Sequence, residues 1–232
     1  MSPKNKILIL TSIFLLIINI FVFSTLNLFE NRIAKIITSL VFLSFFIYIK
    51  GYRHPNIFIT IMSFTICNLL MFNYESLIFN KLTSYVSIIG YSALIFHITK
   101  RTSIKKVDPY ILVFFGFLII LNLYCLYVIM HTVSYKMIDV SQEITHYIYG
   151  LFIIFSCIVA ACHSFTQNTK KSMQLLIVVL ALSLMDLFSF LAYYYDWNIL
   201  FYYDRAFHII ASLFIVKYTI KLSEREENVK IE

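Results

Sequence analysis

Apolar runs of about twenty residues recur eight times along this chain of 232 residues, and no other feature limits its fold as much. A helix rises 1.5 Å per residue, so roughly 20 residues cross about 30 Å of hydrocarbon. The runs fall at residues 7–28, 33–49, 57–73, 78–98, 109–130, 145–165, 172–194 and 206–222. They are long and unbroken, which predicts helices, because strands crossing a membrane alternate in polarity. Composition agrees: 60% of residues are hydrophobic and only 13% charged, with four Gly and three Pro to supply turns. A soluble domain with that surface would aggregate. The expectation is an all-α, polytopic membrane helix bundle of eight transmembrane helices. It forms a single integral membrane domain over residues 1–232, with a short cytoplasmic tail at 223–232.

The first run, preceded by Lys4 and Lys6, also resembles the start of a secretory signal. Its apolar stretch is too long for a signal core, and no small-x-small cleavage site follows before Glu30, so it is read as a helix.

Basic residues orient the bundle. With a cytoplasmic N-terminus, fourteen of the nineteen Lys and Arg fall on the inner side, among them Lys50, Arg53, Lys100, Arg101, Lys105, Lys106, Lys170, Lys171, Lys221 and Lys230. Only Arg32, Lys35, Lys81, Lys136 and Arg205 fall outside. The bias places both termini in the cytoplasm. It also explains the net charge of +7 without nucleic acid: short basic loops beside a membrane suit anionic headgroups. Abundant Ile, Phe, Tyr, Asn and Lys beside scarce Gly and Pro fit an AT-rich genome, and the expected location is a bacterial cytoplasmic (inner) membrane, crossed several times.

One acid breaks the pattern. Asp186 sits in an apolar stretch from Leu175 to Ala192, accompanied only by Ser183 and Ser189 among polar residues. At a helix centre an Asp costs about 2.5–3.5 kcal/mol to insert, while Leu, Ile, Phe and Val each return about 0.3–0.6. Twelve such residues between Leu175 and Leu191 carry the segment in, and the acid goes with it. Once there it must face the bundle interior, protonated or paired.

Depth gives it neighbours. Asp186 lies about 21 Å from the inner face, in the outer half of the membrane, and Asn68 about 16 Å in. Asn122 lies at a similar depth, and Lys35 and His208 start spans from the outer side. A cavity open to the outer leaflet, lined by Lys35, Asn68, Asn122, Asp186 and His208, is the expectation. Plainer roles compete: Lys35 as a snorkelling interfacial lysine, the two asparagines as helix-packing glue, and His208 as the partner of Asp204 one turn before it. His97 and His163 stand near the inner ends of their spans and read as interfacial. The aromatic run from Tyr193 to Trp197, with Phe201 to Tyr203, reads as an outer belt or as a lid over the cavity. Cys67, Cys125, Cys157 and Cys162 fall within spans without CxxC spacing, so neither disulfides nor a zinc site is expected. No phosphate-binding Gly loop, GxSxG elbow or HExxH occurs, and no cofactor is implied.

The lysine entering the second span, the polar residue in the third, "GYSALIFH" in the fourth and the acid of "LSLMDLFSF" in the seventh together resemble the YhhN-type lysoplasmalogenase family. Its members are membrane hydrolases that cleave the vinyl ether bond of lysoplasmalogens, releasing an aldehyde and a glycerophospho-alcohol. The resemblance implies that Lys35 matches the family's lysine, His97 its histidine and Asp186 its acid. The chain departs from the pattern in having Ile36 after the lysine, Met185 before the acid, Asn68 in place of a third-span Asp, and His208 and Ser212 in place of an eighth-helix Tyr and Gln pattern.

Vinyl ether hydrolysis needs an acid to protonate carbon and a base for water. Asp186 suits the first role, while Asn68 can hold water or substrate but cannot titrate. His208 is the candidate base, and Lys35, Asn122 and His97 are candidate substrate contacts. Two functions follow from this reading: a lipid hydrolase of lysoplasmalogenase type, or a non-catalytic membrane protein of the same fold that binds a lipid or a protein partner. A transporter fits less well, because the spans lack paired Gly or Pro breaks.

Overall fold

Each apolar run becomes one helix in the computed structural model, which describes residues 3–25, 27–102 and 109–229. The helices are α1 (Pro3–Thr25), α2 (Leu28–Tyr48), α3 (Pro55–Leu70), α4 (Leu77–Thr99), α5 (Pro109–Val133), α6 (Val140–Gln167), α7 (Lys170–Tyr194) and α8 (Leu200–Val229). Short 3-10 turns follow α2, α3 and α5. All eight helices are long and apolar enough to cross a membrane, and no strand occurs among the described residues. Lys105, Lys106 and Lys230, counted above on the inner side, lie outside the described residues.

Local chemistry sets the boundaries. Pro55 opens α3, where its missing N–H is no loss. Asp139 caps α6 by accepting from the Gln142 backbone N–H at 2.6 Å, and Thr169 and Ser172 close a capping box on α7. Asn168 ends α6 in the left-handed region at φ 43°. Lys50 adopts φ 59° after α2, and the next residue packs so tightly that a Cβ on Gly51 would stand 2.5 Å from the Phe46 ring.

Three helices start well ahead of their apolar runs, α2 at Leu28 rather than 33. α6 begins at Val140 rather than near 145, because the Asp139 cap carries it through a polar first turn. α8 begins at Leu200 rather than 206 and takes in Asp204 and Arg205, of which Asp204 pairs with Lys35 inside the bundle. The stretch expected as a tail from 223 continues α8 as far as Val229.

The most extensive helix contacts join α7 to α8 and α3 to α4, while α5 leans chiefly on α6 and is the least buried span. Phe42, Phe46, Tyr91, Val178, Ala211 and Val216 lie in the hydrophobic core. Around it the usual arrangement is inverted. Leu10, Phe14, Ile78, Val113 and Ile120 are exposed, whereas Asn19, Thr60, Asn80, Gln142, His146 and Asp204 are buried. Buried polar groups stitch helices together: Asn19 donates to Thr38 across α1 and α2 at 2.8 Å, and Thr60 donates to the Gly90 carbonyl across α3 and α4 at 3.2 Å.

Three ion pairs tie helices and connections together at one end. Arg32 forks over both carboxylate oxygens of Glu75 and donates to the Phe72 carbonyl at 2.9 Å. Lys81 meets Asp139 at 2.6 Å, and Lys136 meets Asp196 at 2.7 Å. The connections at that end, α1–α2, α3–α4, α5–α6 and α7–α8, are the four expected outside.

Candidate functional site

One set of buried polar residues gathers toward that end. Lys35, in the second turn of α2, is buried, and its Nζ lies 2.7 and 3.0 Å from the two carboxylate oxygens of Asp204 on α8. The snorkelling role does not hold, because the ammonium turns inward to a fixed partner. Asp204 therefore serves Lys35 and not His208. One turn further along both helices, His208 Nε2 lies 3.1 Å from Ser39 Oγ and 3.3 Å from Asn68 Nδ2, and Asn68 donates to Ser39 at 2.7 Å. Asn68 so commits its amide nitrogen to Ser39 and His208, which leaves its oxygen as an acceptor.

Asp186 on α7 receives a hydrogen bond from the fully buried Tyr91 hydroxyl on α4 at 2.7 Å, and Tyr149 on α6 also engages it. Tyr91 is held edge-on against Phe64, with ring centroids 5.2 Å apart, so the donor is fixed. Tyr91 belongs to the GYSALIFH segment, but nothing in the sequence pairs it with an acid 95 residues away.

Three spaces adjoin these groups. A groove of about 570 Å³ runs between α5, α6 and α7, walled by apolar side chains such as Phe115, Leu126, Ile153, Phe165, Leu180 and Leu187, with Asp186 on its wall. That volume falls within the range of small-molecule sites. Behind Asp186 lies a cavity of about 50 Å³, lined by Lys35, Asn68, Ser84, Ser87, His146 and Asp186, roomy and polar enough for water. Beyond Lys35 and Asn68 a vestibule of about 30 Å³ is lined by Asn31, Arg32, Tyr193, Asp204 and Arg205. Tyr149, His146, Phe190 and Asp186 divide groove from cavity, and Lys35, Asn68, Met71 and Tyr74 divide cavity from vestibule.

The expected cavity thus becomes three compartments, and its five expected residues separate. Lys35, Asn68 and Asp186 share one cavity, and His208 stands behind it on Ser39 and Asn68. Asn122 lies on the far wall of the groove, exposed, donating to the Leu118 carbonyl of its own helix at 2.7 Å. It shares depth with the cluster but not direction, because α5 stands off from the other helices. His97 is also elsewhere: six residues past Tyr91, about 9 Å along α4, its Nε2 lies 3.1 Å from the Tyr218 hydroxyl, to which Arg101 donates at 2.9 Å. His97 is buried there, two residues before α4 ends. Asp204, Arg205, Ser39, Tyr91, Tyr149 and His146 are the site residues that sequence reasoning missed. For Asp204 a signal existed, since a lysine drawn into a span needs an acid at its own depth.

No family model, curated protein or solved structure matches this chain. Fold and site alone therefore define it: an all-helical bundle with eight helices long and apolar enough to span a membrane, carrying an acid between an apolar groove and a polar cavity.

Proposed function

We propose that this chain is a multi-pass membrane protein, with both termini cytoplasmic in a bacterial inner membrane, that hydrolyses the vinyl ether bond of single-chain ether lipids of the lysoplasmalogen type. The observation that carries the reading is the position of Asp186 in the wall shared by an apolar, ligand-sized groove and a polar, water-sized cavity. The inverted surface, apolar outside and polar within, supports the membrane location. The separation of basic from acidic-paired loops supports the orientation.

The lipid chain lies in the groove, with its ether linkage at Asp186. The protonated carboxyl gives its proton to the outer carbon of the double bond, leaving an oxocarbenium ion on the carbon that carries oxygen. Water from the cavity, held by Asn68, adds to that carbon and gives a proton to the carboxylate just formed. The hemiacetal then breaks its bond to the glycerol oxygen, yielding aldehyde and alcohol with one water consumed. A single carboxyl that switches from acid to base needs no third-span Asp. Tyr91 and Tyr149 aim the carboxyl by hydrogen bonds.

The test is aldehyde release from lysoplasmalogen by purified protein. The expectation is turnover that Asp186→Asn lowers by about 10²–10⁴-fold, the usual share of a positioned general acid. Turnover indifferent to that substitution sinks the acid role. The second reading, a lipid-binding protein without turnover, is favoured by Asn68, whose amide nitrogen is spent on Ser39 and His208. Saturable lipid binding with no aldehyde would select it.

A further inference from the structure

Asp186 has polar space on one side and an apolar seal on the other. Toward the ion-paired end lies the cavity of about 50 Å³, where Asn68, Ser84, Ser87 and His146 supply the partners that enclosed water needs. His146 offers an acceptor there. Its Nδ1 lies 2.9 Å from the Gln142 carbonyl, which can only accept, so the ring hydrogen is on Nδ1 and Nε2 keeps its lone pair. Nε2 stands 3.5 Å from the Tyr74 hydroxyl, and Tyr74 lines the vestibule as well as the cavity. Lys35 and Asn68, which share that partition, are polar too. Toward the other end Leu175, Val178, Val179 and Leu182 of α7, with Leu94 and Ile98 of α4, are at most 2% exposed and belong to the hydrophobic core. The groove runs the same way, but its walls are largely apolar, and apolar space stays dry.

The titratable and charged groups that face Asp186 are Tyr91 from α4, Tyr149 and His146 from α6, Cys67 from α3, and Lys35 of α2 with its partner Asp204 of α8. Cys157 of α6 and Cys125 of α5 line the groove with it. At the partition Asp204 neutralises Lys35 at 2.7 Å, so the pair sets no net charge against a proton; Arg32 and Arg205 line the vestibule beyond. We propose that cavity and vestibule form a water path joining the Asp186 carboxyl to the aqueous phase at the ion-paired end of the bundle, and to no other. A proton from that phase crosses by cavity water to turn the carboxylate into the carboxyl, and it leaves the same way. The pH on that side alone then sets how many molecules carry the protonated acid. In the orientation proposed above, that side is the exterior. The inference stands apart from the hydrolase reading, because it concerns the acid and no substrate.

The probe is dicyclohexylcarbodiimide, which crosses bilayers and adds to protonated carboxyls in apolar surroundings. The full chain, carrying a cleavable C-terminal tag, is sealed into phosphatidylcholine vesicles, and external protease first cuts the tags that face outward. α8 starts beside the vestibule and runs away from it, so an uncut molecule presents its vestibule to the external buffer and a cut one to the lumen. Intact-mass spectrometry reads the label on each population. With the lumen held at about pH 8 and the external buffer lowered from about pH 8 to about pH 5, labelling of uncut molecules is expected to rise at least about tenfold, with no change in cut ones. Asp186→Asn should remove that rise. Ser84→Leu fills the cavity, and the hydroxyl it removes bonds the Asn80 carbonyl of its own helix at 3.4 Å rather than Asp186; it should abolish the rise as well. If Ser84→Leu does not fold, the two wild-type populations decide the matter. A rise in cut molecules, in both populations or in neither overturns the path, as does a full rise in Ser84→Leu or one that persists in Asp186→Asn. Because labelling is read without substrate, a one-sided response survives the failure of aldehyde release, and aldehyde release survives the failure of the path.

Discussion

Lys35 and Asp204, separated by 169 residues of sequence, form a buried ion pair in which one ammonium reaches both carboxylate oxygens. The pair fastens α2 to α8 at the depth where the polar cavity begins. Removing one partner leaves the other charge buried alone, which costs about 3–5 kcal/mol, whereas replacing both with apolar side chains is often neutral. Asp204→Asn is therefore expected to lower the thermal midpoint in detergent strongly, and the double change Lys35→Met with Asp204→Leu to recover most of that loss. An Asp204→Asn protein as stable as wild type would show that the pair does not hold the helices.

The Tyr91 hydroxyl donates to Asp186 at 2.7 Å. Tyr91→Phe keeps the packing against Phe64 and removes only that donor, so the expected stability loss is about 1–3 kcal/mol. Turnover should fall less than in Asp186→Asn, by about tenfold, since Tyr149 still engages the carboxyl. Equal losses in the two variants would mean that Tyr91 does more than aim the acid.

The helices were legible because each is a run long and apolar enough to be seen without its neighbours, and Asp186 stood out against such a run. Asp204 and Arg205 were not, because they lie in an aromatic, polar stretch that reads as interface until the lysine across the bundle is known. Depth, computed from helix rise, groups Asn68 and Asn122 with Asp186, yet only Asn68 shares its polar cavity. Rise fixes height but not direction, and α5 faces the groove from the opposite side. The contact of His97 with Tyr218 is invisible in sequence because the tyrosine sits on a helix 121 residues later.

The groove extends from Asp186 toward Leu176, ten residues along α7 or about 15 Å, and Ala161 lies on its wall at that far end. Ala161→Trp should shorten the groove without touching Asp186. Turnover of long-chain substrates should then drop more than that of short-chain ones, checked by kcat/KM across a chain-length series. A uniform drop would indicate that the chain does not lie in the groove.

Reporter fusions at the two ends should both report the cytoplasm if the proposed orientation holds for the eight helices long and apolar enough to cross. A terminus found outside would reverse the assignment of the vestibule to the outer face.

The ion pairs tying helices and connections together make stability depend on acid. Arg32, by its hydrogen bonds, holds the Glu75 carboxyl below the ordinary carboxylate range, and Lys81 does the same for Asp139. A depressed folded-state pKa means that the stabilisation is fully present above the unfolded value, near 4, and is lost as pH falls through the folded one. Glu75 is 61% exposed, so solvent screening limits its share to about 0.2–1 kcal/mol. The thermal midpoint should therefore fall from about pH 6 to about pH 3. Glu75→Gln should lower it at the higher pH while leaving it unchanged at the lower, where wild-type Glu75 is losing its charge. Added salt should shrink the difference, because the pair faces solvent. If wild type and Glu75→Gln run parallel across the whole range, the strap from α2 to the α3–α4 connection owes its strength to the Phe72 carbonyl rather than to the carboxylate.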